Sequence, residues 1–155
     1  MRPRANDQHP GYRALMELLR AADTVWNASR VFFERWDVSP SQFNVLNLLR
    51  LNRAGLSQSD LSRQLIMHRS NVTGLVDRLE KRGLVARREA KADRRAYRVV
   101  LTRAGTRLVC KILPRYYREA AQVWGRLSTN RAASLVADFQ RFTRNAEQLA
   151  LDLRR

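Results

Sequence analysis

Two apolar seams, one near each end of the chain, set the terms for any fold it can adopt. In the first, Leu15, Leu19, Ala22, Trp26, Ser29, Phe33 and Trp36 recur at alternating steps of four and three, and Leu18, Val25 and Phe32 flank them at intervals of seven. In the second, Leu135, Phe139, Phe142, Ala146, Leu149 and Leu153 keep the same alternation. This spacing marks one face of an α-helix, where residues three and four apart lie on the same side. A further helical stretch, roughly 103–127, puts Val109, Ile112, Leu113, Tyr116, Ala120, Val123 and Leu127 on one side. Pro114 is expected to kink or divide that stretch, and Ser128 is placed to cap the last helix. Such helices carry more apolar face than a small domain between them can cover. The expected cover is a second copy of the chain, with an intrachain helical bundle as the alternative.

Between the seams the rhythm shortens. Residues 41–52 read as a short helix with Phe43, Val45, Leu46 and Leu49 inward, ended by Gly55. "SQSDLSRQL" opens a second helix with Ser57 and Asp60 in a capping-box-like arrangement. A third helix, roughly 69–82, has Val72, Leu75, Val76 and Leu79 on its buried side, and Gly83 fits its C′ position. Its opposite side carries Ser70, Thr73, Gly74, Asp77 and Lys81, flanked by Asn71 and Arg78, with His68 and Arg69 at the entrance. "LVARR" (84–88) and "AYRVVL" (96–101) then read as strands joined by the polar connection "EAKAD". Helix, turn, helix and charged hairpin in this order describe a helix-turn-helix with a wing.

The charge points to the partner. The net charge is +16, a size that opposes compaction and favours a polyanion. Nucleic acid is the first candidate and an anionic membrane surface the second. From Arg82 to Arg98 there are seven basic residues and two acidic ones, so the hairpin is a positive ribbon suited to lie beside a duplex. Cys110 is the only cysteine, which excludes an intrachain disulfide and a cysteine-based metal site; a buried, inert thiol is expected. His9 and His68 are far apart, no nucleophile–base pair or glycine-rich phosphate loop is evident, and neither catalysis nor a metal or other cofactor is expected. No apolar run is long enough for a membrane span, and "MRPRANDQHPG" lacks a secretory signal's apolar segment, so a cytoplasmic protein is expected.

The run from Ser57 to Gly105 resembles the core of the MarR (multiple-antibiotic-resistance regulator) family. The resemblance covers roughly 41–109 and rests on the "S-x-x-L" helix opening, "VTGLVDRLEKRGLVARR", the D-x-R pair Asp93 and Arg95, and the closing "LTRAG". It implies a mainly α fold with a small β-hairpin wing. Residues 12–38 and 103–155 would form a helical dimerisation region after a flexible arm at 1–11, and 39–102 the winged helix-turn-helix domain. It implies a homodimeric transcriptional regulator, a repressor, on double-stranded DNA with an inverted-repeat operator; a non-specific architectural DNA binder is the alternative. The helix at 69–82 would enter the major groove. Arg95 would enter the minor groove, with Asp93 positioning it. The DNA-binding candidates are His68, Arg69, Ser70, Asn71, Thr73, Gly74, Arg78, Arg87, Lys91, Asp93, Arg94 and Arg95.

Two departures from the family pattern fall on the reading helix. His68 stands where many members have serine or threonine, and Gly74 where many have arginine or another long polar residue. Many similar proteins release DNA on binding a small, often phenolic or anionic, ligand between the dimer region and the winged helix. Trp26, Phe33, Trp36 and Phe43 are the aromatic candidates for such a cleft, with core packing as the alternative.

Overall fold

The computed structural model describes residues 10–65, 67–90 and 93–154, with the backbone alone at 90 and 93–96. Its elements are α1 (Pro10–Glu34), α2 (Pro40–Leu51), α3 (Gln58–Leu65), α4 (Arg69–Lys81), β1 (Val85–Ala90), β2 (Asp93–Leu101), α5 (Arg103–Trp124) and α6 (Thr129–Asp152). They form two compact units, one ending at Ile112 and the other beginning at Leu113.

The core of the first unit is built from short helices. Phe43, Val45, Leu46 and Leu49 of α2 are buried with Leu61 of α3 and Val72, Leu75, Val76 and Leu79 of α4. Further along, Val109 and Ile112 of α5 are fully enclosed. The start of α2 is fixed by a full capping box that the sequence reading passed over: Ser39 Oγ accepts from the Gln42 N–H at 3.1 Å, and Gln42 Oε1 accepts from the Ser39 N–H at 2.8 Å. Pro40 follows at the first helical position, where its missing N–H costs nothing.

The strands pair antiparallel with Val85 opposite Leu101 and Arg87 opposite Val99, and the register shifts between Glu89 and Ala90. Both are longer than expected. Glu89, Ala90 and Asp93, read as connection, lie within them, because a polar sequence does not by itself interrupt a backbone ladder. Leu56 adds a bridge to Val99, with N–H···O distances of 3.0 and 2.8 Å. Gly55 makes that approach possible: its φ is +78°, and a Cβ there would meet the Val99 carbonyl oxygen at 2.6 Å. The "LTRAG" segment has a similar cause. Thr102 Oγ1 donates to the Gly83 carbonyl at 2.7 Å and accepts from the Gly105 N–H at 3.0 Å. A Cβ on Gly105 would lie 2.0 Å from the Leu84 carbonyl oxygen, so only glycine fits.

α1 starts at Pro10, inside the stretch expected to be a flexible arm, since proline suits a first helical turn; residues 1–9 lie outside the described ones. Only Phe32 and Phe33 of α1 are buried. The turn after α1 has Asp37 in the left-handed region (φ 52°). Arg82, the C-cap of α4, holds this turn: its guanidinium donates to the Asp37 carbonyl and lies 3.2 Å from Asp37 Oδ2.

In the second unit, α6 has no buried residue, and Phe139, Phe142 and Leu149 of its seam are exposed. Ser128 caps it as expected, accepting from the Arg131 N–H at 3.3 Å. α5 passes through Pro114 undivided. Cys110 is exposed, not buried, because it sits one helical step of about 100° beyond Val109, which faces the core.

Candidate nucleic-acid interface

α4 presents its apolar stripe to the core and leaves the other side to solvent, with a short, uneven set of polar groups. His68 is its N-cap; Nδ1 accepts from the Ser70 N–H at 3.4 Å and lies 2.8 Å from Ser70 Oγ. A histidine thus does the work of the serine or threonine common there, over a longer bond. Arg69, Ser70, Asn71 and Arg78 are exposed, and Thr73 and Gly74 are half-buried. Thr73 Oγ1 donates to the Arg69 carbonyl at 3.1 Å and lies 3.5 Å from Gln58 Oε1 of α3, so the two helices of the motif touch through polar groups.

Arg87 lies differently from a free cation on the wing. Its guanidinium forms ion pairs with Asp77 and Glu80 of α4, and its N–H donates to Glu80 Oε1 at 2.9 Å. The hydrogen bond to Asp77, then that to Glu80, raises its pKa further above the ordinary arginine range, against the opposing effect of burial. Arg87 therefore neutralises Asp77 and Glu80 and fixes β1 against α4.

A groove of about 350 Å³ runs between the start of α3, the start of α4 and the hairpin, lined by Ser57, Gln58, Ser59, Arg69, Arg87, Tyr97 and Val99. It brings Arg69 and Arg87 together and adds Ser57, Gln58, Ser59 and Tyr97, which the sequence reading did not assign. The polar opening of "SQSD" was the available signal for the first three. At that opening Ser57 Oγ accepts from the Asp60 N–H at 3.0 Å and donates to Asp60 Oδ2 at 2.7 Å. The Ser57 hydroxyl, then Arg63, holds the Asp60 carboxyl below its ordinary range. Lys91 and the side chains of Asp93, Arg94 and Arg95 lie outside the described residues; the last three have their backbone in β2.

The four aromatic ligand candidates do not come together as a cleft. Phe33 and Phe43 are 1% exposed and pack on each other with ring centroids 4.6 Å apart, so they are core. Trp36 stacks beside Phe32 at 5.0 Å, and Trp26 is exposed on α1. A cavity of about 280 Å³ beside the α1–α2 turn is lined instead by Arg30, Glu34, Asp37, Val38, Ser39, Pro40 and Gln42. Among the described residues, no group of histidine, cysteine and acids is placed to hold a metal, and no described helix is long and apolar enough to cross a membrane.

Known proteins share this arrangement. A sequence model of the MarR family matches residues 36–96. The HTH-type transcriptional regulator PrsX of Escherichia coli is 30% identical over 116 residues, 74% of this chain and 70% of its own length. The transcriptional repressor MprA of Escherichia coli K12 is 33% identical over 97 residues, 63% of this chain but only 55% of its own length. Both relatives are regulators of transcription, not enzymes. Among solved structures, Bordetella bronchiseptica BpsR, whose DNA binding is regulated by 6-hydroxynicotinic acid, matches with a TM-score of 0.76 at 24% identity over 92% of this chain and 98% of its own.

Proposed function

This chain belongs to the MarR family of DNA-binding transcriptional regulators, and from that premise we propose that it acts as a homodimeric repressor on an inverted-repeat operator. The observation that carries the reading is α4: a buried seam on one side, and on the other the exposed donors Arg69, Asn71 and Arg78 beside a hairpin tied to it by Arg87. In this reading α4 enters the major groove, with half-sites about one helical turn apart. Arg95 enters the minor groove, where negative potential concentrates, and Asp93 holds it in the pose that fits. The dimer is supported by the apolar side chains that α1 and α6 leave exposed in a single chain. Repression is supported by the likeness to MprA. Release by a small aromatic or anionic effector is supported by the ligand control of BpsR.

The test is binding to the duplex upstream of the protein's own coding sequence, compared with a random duplex, across a salt series. Preference for the first with a steep salt dependence is expected. Equal affinity for both would leave a non-specific architectural binder. Arg95→Ala is expected to weaken binding without unfolding the protein. Asp93→Ala is expected to weaken it too, although it removes a negative charge. Tighter binding by Asp93→Ala would show that Asp93 is only a solvated acid on a positive ribbon.

A further inference from the structure

Gly74 lies near the middle of the solvent side of α4, between Ser70 and Arg78 one turn to either side. It has ordinary helical φ, so no backbone strain calls for glycine here, and glycine is a poorer helix former than alanine. A Cβ at this position would meet only one group, Nη1 of Arg78, at 3.5 Å. The Arg78 guanidinium is therefore folded back along the helix over the bare backbone of Gly74. Helical side chains lean toward the N-terminus, and here nothing at residue 74 stands in the way.

The neighbouring polar groups are engaged elsewhere. Ser70 Oγ faces His68 Nδ1, Thr73 donates to the Arg69 carbonyl, and Asp77 and Glu80 hold Arg87. Arg78 is exposed, and among the described residues its guanidinium has no hydrogen bond or ion pair. Its backbone belongs to the C-terminal half of α4, whereas recognition helices meet base edges mostly through their N-terminal half. Folding back moves the guanidinium about one turn, about 5 Å, toward that half.

We propose that Gly74 and Arg78 together form a specificity determinant: the missing side chain at 74 seats Arg78, whose planar fork reads the O6 and N7 acceptors of a guanine in the major groove. This rests on the reading of α4 as the helix that enters that groove. It also gives the glycine a function, as a vacancy that a second residue fills.

Selection of bound duplexes from a random pool tests this, with wild-type protein, Arg78→Ala, Arg78→Lys, Gly74→Gln and Gly74→Ala, each checked for helix content and thermal midpoint. Wild type is expected to select a G·C pair at one position in each half-site. Arg78→Ala and Arg78→Lys are expected to lose discrimination at that pair by about 5- to 150-fold, with the other positions retained. Gly74→Gln, which fills the seat, is expected to lose it at the same pair. Gly74→Ala, whose Cβ makes only an ordinary contact, is expected to keep it. If Arg78→Ala lowers affinity uniformly and leaves every base preference intact, Arg78 is a phosphate contact and the inference is overturned alone. A wild type that selects no sequence overturns the proposed function, and this inference with it.

Discussion

The winged-helix unit and the terminal helix α6 use apolar side chains of the same kinds in opposite ways. In the first, Phe43, Leu46, Leu61 and Leu79 are at most 1% exposed, and a single chain closes the core around them. In α6, Phe139 and Phe142 are 42% and 43% exposed, and nothing on the helix is buried. The difference teaches that apolar periodicity reports a face to be covered without naming what covers it. A short helix among others finds its cover locally, and a long one with the same rhythm leaves its face open in a single chain.

That contrast can be broken at three points. The largest effect is expected from Phe43→Ala, which opens a cavity against Phe33 and should lower the stability of the winged-helix unit by about 3–5 kcal/mol in urea denaturation. A loss below about 1 kcal/mol would mean that this core is no better closed than the α6 face. Next, Phe139→Glu with Phe142→Glu is expected to weaken self-association by about 2 kcal/mol or more, read by sedimentation, while the denaturation midpoint of dilute protein stays in place. Unchanged association would remove α6 from the interface. The smallest effect is expected from Asp60→Asn. The Ser57 hydroxyl and Arg63 depress the folded pKa of Asp60, so its contribution is present above the ordinary carboxylate range and is lost as pH falls through the folded pKa. The thermal midpoints of wild type and variant should therefore differ most near neutral pH and converge as pH falls below the ordinary carboxylate range. A gap that persists in acid would assign the effect to something other than the carboxylate.

Local patterns made much of this legible. The steps Val72, Leu75, Val76 and Leu79 gave the buried side of α4, the Ser57–Asp60 spacing gave the start of α3, and Gly83, with φ 66°, closes α4 where expected. The pair Ser39 and Gln42 carries the same kind of signal for the start of α2. What stayed hidden depends on contacts between distant residues. Arg87 looks like any other wing arginine until the fold sets it against Asp77 and Glu80. Phe33 and Phe43 look like cleft residues until α1 and α2 close them on each other. The exposure of Cys110 hinges on a single helical step, finer than a roughly bounded helix resolves.

The fork of Arg82 on the Asp37 turn anchors one end of α4, the point about which any tilt of the helix would pivot. The grip is at the helix's C-terminal end, and the turn it holds is constrained by a left-handed residue. With 13 residues, α4 is about 20 Å long, so a tilt of about 5° about that pivot carries its far end through about 2 Å. A displacement too small to disturb the core at the pivot is, at Ser70 and Asn71, comparable with the length of a hydrogen bond.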